Sequence, residues 1–263
     1  MAYKLLALDL DGTLLMPDLS VPVPVQEALR RLQQRGIFIT LSTGRMFSTV
    51  EKYALELGIS APLVCYNGAV LRAAGGVPLL YEPLTLELQN AVLHCCDRFG
   101  WYAQLYNDDR IVVAQETDDT RADPDLRTLP CREVGRLVCA DLQPSPKIMT
   151  RCSPSETAFR TAMLARATGG QLYIAASTPH LVEMMRIGVG KAHALSALCV
   201  HLGISPAEAV TCGDSGNDLD MIRWAGMGCA MNNAVPALKN AADYVCSTSN
   251  SFGVLEVINR FFE

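Results

Sequence analysis

Asp9 and Asp11 stand two residues apart at the end of the apolar run Leu5-Leu6-Ala7-Leu8, with Gly12 and Thr13 directly after them. A run of that kind reads as a buried parallel strand. Open parallel sheets bind ligands in the crevice outside the carboxyl ends of their strands. Gly12 lets the chain turn away sharply there. Paired carboxylates in such a place can hold a hard cation through oxygen while one oxygen stays free to attack an electrophile. Taken alone, the same residues would also suit a strand end closed by an Asp-Gly turn.

Three further fragments supply complementary groups. A second β-rich run, residues 37–41, ends in Ser42-Thr43-Gly44-Arg45 ahead of a helical pattern. A hydroxyl and backbone N–H groups at a helix start make an anion site. Lys191, in Gly188-Val189-Gly190-Lys191, precedes another helical stretch and offers a fixed positive charge. A third strand, residues 209–212, runs into Gly213-Asp214-Ser215-Gly216-Asn217-Asp218 and again places carboxylates at a strand end. Each fragment has an ordinary explanation as a helix cap, a surface lysine or a turn. The order acid pair, hydroxyl, lysine, acid pair, always at a strand end or helix start, is hard to reconcile with four unrelated turns.

In these four motifs the chain resembles the haloacid dehalogenase superfamily of phosphohydrolases, in its Cof-type branch with a large α/β cap. Asp9-Leu10-Asp11-Gly12-Thr13-Leu14 matches the first motif, Ser42-Thr43-Gly44-Arg45 the second, Lys191 the third and Gly213–Asp218 the fourth. Cys65-Tyr66-Asn67-Gly68-Ala69 is similar to the family's Asn-Gly-Ala segment. The resemblance runs from Lys4 to about Val257; between roughly Pro83 and Met185 it is one of length and pattern only. It implies a Rossmann-like α/β core and a Mg²⁺-dependent phosphatase acting on a small phosphorylated metabolite, a sugar phosphate or a phosphorylated cofactor. Asp9 would be the nucleophile and carry an aspartyl phosphate. Asp11 would protonate the leaving oxygen and then activate water, which favours easy protonation near neutral pH. Asp9, Asp11 (through its backbone carbonyl) and Asp214 would hold the Mg²⁺. Leu10 (backbone N–H), Thr43, Gly44, Lys191 and Asn217 would hold the phosphoryl oxygens. Thr13, Ser215 and Asp218 would support these groups without touching substrate. One departure is Phe252 before Gly253-Val254, where the family carries an acid; Ser249, Asn250 and Ser251 are expected to cap the last helix instead.

Composition is consistent with this. At 263 residues the chain has room for two domains, half of its residues are hydrophobic, and the net charge of −5 gives no sign of a nucleic-acid surface. No apolar run reaches the ~18 residues of a membrane span, and no export pattern opens the sequence. The ten cysteines are scattered, with no Cys-x-x-Cys pair, and read as small buried residues in a reducing cytosol. We therefore expect a cytoplasmic protein, monomeric or a small homo-oligomer, with neither nucleic acid nor membrane as partner.

Residues 24–35 and 46–57 have helical spacing and end at Gly36 and Gly58. Strands fall at 62–66 and in a hairpin of 70–71 with 79–81. After Lys191 come a helix to about His201, the strand 209–212, a helix over 217–224, a strand over 227–230 and a final helix ending near Phe262. This is the grammar of a parallel α/β sheet. Between the halves the grammar changes to a helix over 86–99, paired strands 101–106 and 110–114, and a polar connection 117–130 with Asp118, Asp119, Asp123 and Asp125. A strand near 147–150, a helix over 154–168 and a hairpin at Pro179-His180 follow. The expected division is a core of residues 1–82 and 187–263 and an α+β cap of residues 83–186 that sets selectivity, with Trp101, Tyr102, Tyr106 and His180 as either substrate contacts or packing.

Rival motifs fail. Met185 stands where a Walker loop needs its first Gly and Ala192 where it needs Ser or Thr; Gly226-Met227-Gly228 begins a strand rather than ending one. His94, His180, His193 and His201 have no zinc spacing. Arg45 is open between a phosphate contact and a structural role, and Asn67 between a turn and a site wall. The functional alternatives are a phosphomutase using the same acid pair, and a phosphate-binding regulator without turnover.

Overall fold

The computed structural model describes residues 2–107, 109–121, 129, 131–178 and 180–263. The expected positions Asp108, Asp123, Asp125, Pro130 and Pro179 lie outside them. The first elements are β1 (Leu5–Leu8), α1 (Val23–Gln34), β2 (Phe38–Leu41), α2 (Phe47–Glu56), β3 (Leu63–Cys65), β4 (Val70–Arg72) and β5 (Pro78–Tyr81). Next come α3 (Leu86–Phe99), β6 (Gln104–Asn107), β7 (Arg110–Val113), β8 (Cys131–Glu133), β9 (Ile148–Arg151), α4 (Thr157–Ala167), β10 (Leu172–Thr178) and β11 (Leu181–Arg186). The chain closes with α5 (Lys191–Leu202), β12 (Ala209–Gly213), α6 (Leu219–Trp224), β13 (Met227–Ala230), α7 (Pro236–Lys239), β14 (Tyr244–Val245) and α8 (Asn250–Phe261). Two compact units result: Met1–Leu80 with Gly190–Glu263, and Tyr81–Val189.

The first unit is a parallel sheet in the order β14-β13-β12-β1-β2, extended by a parallel bridge from Ser42 to Val64 beside β3. Covered faces explain why β1 is apolar at every position. Leu5 and Ala7 pack with Ala194, Leu195, Leu198 and Cys199 of α5 and Met221 of α6. Leu6 and Leu8 alternate to the other face and are also fully buried. Pairing of β1 with β12 on one side and β2 on the other aligns Leu8 with Cys212 and with Leu41. The carboxyl ends of three adjacent strands therefore open at one level, each into one of the polar motifs.

The second unit is a six-stranded sheet in the order β10-β11-β9-β6-β7-β8. One face packs on α3 and α4 through Leu93, Leu105, Ile148, Leu164, Val182 and Met184. Two expectations are corrected here and in the core. The strand expected over 101–106 begins only at Gln104, because Trp101 turns aside to stack on Phe99 at 4.6 Å. Nor do Ser249, Asn250 and Ser251 cap α8, which starts without a side-chain cap. Asn250 Nδ2 donates instead to the Leu15 carbonyl at 2.9 Å, and Ser251 Oγ to that of Leu14. These bonds fasten α8 to the loop that carries Asp9.

Candidate active site

The loop after β1 is a single wide turn over Leu10–Leu14, closed by the Leu15 N–H donating to the Leu10 carbonyl at 2.8 Å. Gly12 adopts φ +79° there, and a Cβ at this position would overlap the Asp214 carboxylate. Glycine is thus required twice over, for the left-handed backbone and for the approach of the two loops. Asp9, at the head of the turn, is only 4% exposed, and its backbone N–H donates to the Cys212 carbonyl at 3.0 Å.

Lys191 opens α5 and is fully buried. Its ammonium donates to Asp9 Oδ1 at 2.7 Å and to Asp218 Oδ1 at 2.5 Å. Asp218 is equally buried; its Oδ2 accepts the backbone N–H groups of Asp214 and Ser215, both at 3.0 Å. That box shapes the loop after β12 and leaves the Asp214 side chain beside Thr13, whose hydroxyl donates to Asp214 Oδ1 at 3.3 Å. Oxygens of Asp9, Asp214 and Asp218 all lie within 4.8 Å of one another.

The electrostatics follow from burial. Asp9 is raised well above the usual carboxylate range, first by burial and next by the Asp218 charge, with Lys191 opposing. Asp214 is pushed up to about 6, again by burial first and Asp218 second. Burial alone would lower Lys191, but Asp218 and Asp9 together hold its ammonium above the ordinary lysine value. Three carboxylates facing one ammonium leave two negative charges, all on hard oxygen donors. A divalent cation fits that balance and donor set. Asp218 is held by three bonds of 2.5–3.0 Å, whereas Asp9 Oδ2 has no hydrogen bond among the described residues and Asp214 makes only long ones, at 3.3 and 3.4 Å.

The second motif closes the other side. Thr43 is buried at the end of β2, and its Oγ1 accepts the Arg45 N–H at 3.2 Å. Asn67 N–H donates to the Thr43 carbonyl, while Asn67 Oδ1 accepts Asn217 Nδ2 at 3.0 Å. Asn67 thereby joins the Thr43–Gly44 loop to the loop of Asp214, and a Cβ at Gly44 would press on its amide. Arg45 pairs with Asp11: Nε donates to Asp11 Oδ2 at 2.7 Å and Nη2 to Asp11 Oδ1 at 2.5 Å. Asp11 is half exposed, and both of its carboxylate oxygens are held in this fork. Asp9, Leu10, Asp11, Thr13, Thr43, Gly44, Lys191, Asp214, Ser215, Asn217 and Asp218 all belong to the first unit.

Some contributors were not legible from the motifs. Asn233 Nδ2 donates to the Gly12 carbonyl at 2.8 Å and lies 3.4 Å from Asp214 Oδ2. Asp220 Oδ2 accepts the Ala192 N–H at 3.0 Å and so fixes the start of α5 beneath Lys191. A signal existed for both: Asn232-Asn233 follows a fourth parallel strand end, and Asp220 lies two residues beyond Asp218. Trp101, Tyr102 and Tyr106 are all engaged within the second unit. Trp101 packs on Phe99 and Phe159, Tyr102 Oη donates to Gln104 Oε1 and Tyr106 Oη accepts from Gln104 Nε2. The His180 carbonyl accepts the Cys152 N–H.

Comparison with known proteins agrees with this architecture. The family model for haloacid dehalogenase-like hydrolases matches residues 6–258. The chain is 30% identical to YxeH of Bacillus subtilis over 98% of each. It is 32% identical to the HMP-PP phosphatase of Cronobacter sakazakii, over 89% of this chain and 86% of that protein. The crystal structure of a haloacid dehalogenase-like hydrolase from Bacteroides thetaiotaomicron superposes with a TM-score of 0.89 at 29% identity, covering 99% of this chain and all of the other. The chain belongs to the haloacid dehalogenase-like hydrolases: it is an enzyme, with the Rossmann-like α/β core of that family. Among the described residues no helix is long and apolar enough to cross a membrane.

Proposed function

We propose that the protein is a Mg²⁺-dependent phosphatase that hydrolyses a small phosphorylated metabolite through an aspartyl phosphate on Asp9. The observation that carries this is the buried Asp9–Lys191–Asp218 chain beside Asp214. Lys191 fixes one Asp9 oxygen by a charge-assisted bond and leaves the second without a hydrogen bond among the described residues. That second oxygen attacks phosphorus while the bond from phosphorus to the leaving oxygen breaks. Asp11 delivers a proton to the leaving alkoxide, then takes one from the water that attacks the aspartyl phosphate, releasing inorganic phosphate and restoring the Asp9 carboxylate. For this Asp11 must leave its fork with Arg45. Lys191, Thr43, Asn217 and the backbone N–H groups of Leu10 and Gly44 hold the phosphoryl oxygens and stabilise their charge in flight. Asp9, Asp214 and the Asp11 carbonyl would hold Mg²⁺, which supplies a positive charge that offsets repulsion between carboxylate and phosphate. Thr13, Ser215 and Asp218 keep these groups in place.

Similarity to an HMP-PP phosphatase at 32% identity favours a phosphorylated small metabolite as substrate. We assign selectivity to the inserted unit, since the motif residues engage only phosphoryl group and metal, which all candidate substrates share. The test is phosphate release across a metabolite panel, with Mg²⁺ and with chelator. Release that requires Mg²⁺ is expected. Interconversion of substrate and product without release would establish a phosphomutase, and binding without turnover a regulator; either would overturn the proposal.

A further inference from the structure

We infer that Asn67 is a positioning residue of the phosphoryl site, which aims one amide N–H of Asn217 at a bound phosphate. This role rests on the assignment of Thr43, Gly44, Lys191 and Asn217 to the phosphoryl group, and all four lie with Asn67 in the first unit.

The turn Tyr66-Asn67-Gly68 after β3 is strained. All three residues have positive φ, at +52°, +54° and +100°. Left-handed backbone is costly for any residue with a side chain, though less so for asparagine than for tyrosine. Such strain persists only where the surroundings over-determine it, and it gathers at functional sites. Here three of the polar motifs do so. Tyr66 N–H donates to the Arg45 carbonyl and Asn67 N–H to that of Thr43, each at 3.0 Å. A Cβ at Gly68 would overlap the Gly190 carbonyl, directly before Lys191. Asn67 Oδ1 accepts Asn217 Nδ2 at 3.0 Å. Glycine at position 67 would serve the backbone at least as well. What asparagine adds is its amide.

The task of that amide follows from Asn217. Ser215 Oγ donates to Asn217 Oδ1, while Asn67 accepts one hydrogen of Asn217 Nδ2. The Asn217 amide is thus gripped at both ends, which fixes its plane and which end is nitrogen. One N–H of that nitrogen remains, with no acceptor among the described residues. Asn217 is the partly exposed member of the pair and Asn67 the buried one, so Asn67 acts through Asn217 rather than by touching the ligand. A donor held in place stabilises an anionic oxygen without reorganising first. Without Asn67 the amide is free to turn and present its carbonyl oxygen, which repels phosphate.

The test is calorimetric binding of inorganic phosphate to the full-length protein with Mg²⁺, alongside thermal unfolding. Asn67→Gly removes the amide and suits the left-handed backbone, whereas Asn67→Ala removes the same amide and is strained there. Both should bind phosphate about tenfold more weakly than the wild type, the worth of one hydrogen bond to a charged group. They should do so equally, although Asn67→Ala unfolds at the lower temperature. Asn217→Ala should weaken binding by a similar factor, and adding Asn67→Gly to it should weaken binding no further. No phosphate binding by the wild type removes the phosphoryl site and this role with it. The role alone falls if Asn67→Gly binds as tightly as the wild type, if affinity tracks melting temperature across the variants, or if the two substitutions act additively.

Discussion

Replacing Lys191 with methionine isolates what the buried ammonium does, because the side chain keeps nearly its shape and loses only its charge and donors. The wild-type group makes two bonds of 2.7 and 2.5 Å to carboxylates whose side chains are 6% and 0% exposed. Removing one member of such a buried network leaves the other charges uncompensated, which costs about 3–5 kcal/mol. For a chain of this size, roughly 10 °C of melting temperature should be lost. The damage should be partly repairable from the other side. Adding Asp218→Asn takes away one of the stranded charges, so the double variant should be more stable than Lys191→Met alone by at least about 1 kcal/mol. Lowering the pH should also narrow the deficit, since without Lys191 the Asp9 carboxyl rises further and binds a proton in the folded state. Urea unfolding of the four proteins in the cycle, in chelator at pH 7 and pH 5, measures all of this. A loss below about 1 kcal/mol for Lys191→Met, or a double variant weaker than either single one, would refute the view that Lys191 is what compensates this pair.

Asp214→Ala should chiefly weaken metal binding, so that activity needs more Mg²⁺; an unchanged half-saturation concentration in a Mg²⁺ titration removes Asp214 from the ligands. The metal-free protein should become more stable as the pH falls from 7 towards 4. Asp9 and Asp214 have raised values when folded, Asp214 from 3.8 to about 6, so the folded state binds more protons than the unfolded state in that window and stability is lost as pH rises through it. For Asp214 alone this is worth about 3 kcal/mol. Denaturant unfolding in chelator across this range checks the sign; a flat or rising profile with pH contradicts it.

Much of the core and its site could be read in the sequence because its signals are local. Asp9, Gly12, Thr43, Lys191 and Asp214 each sit where a periodic segment stops, so residue type and element boundary coincide. What stayed hidden depends on pairs remote in sequence. Arg45 meets Asp11 across 34 positions, and Asn233 meets Gly12 across 221; neither partner marks the other. Asn250 and Ser251 carry the residue types of a helix cap, yet their bonding groups were taken by the carbonyls of Leu15 and Leu14. Local preference lost to a tertiary contact. The two-residue β14 and the three-residue β8 are too short to show a period. Trp101 has strand propensity, but its packing with Phe99 and Phe159 delays β6.

A covalent bond between Asp9 and phosphorus is the central step of the proposed reaction. Quenching the enzyme during turnover and reducing the acyl phosphate with borohydride converts a phosphorylated aspartate to homoserine, which peptide mass spectrometry then locates. Homoserine should appear at position 9 only when both substrate and Mg²⁺ are present. It should be absent from Asp9→Asn, which should fold normally and release no phosphate. Homoserine at another residue, or turnover by folded Asp9→Asn within about tenfold of the wild-type rate, would contradict covalent catalysis by Asp9.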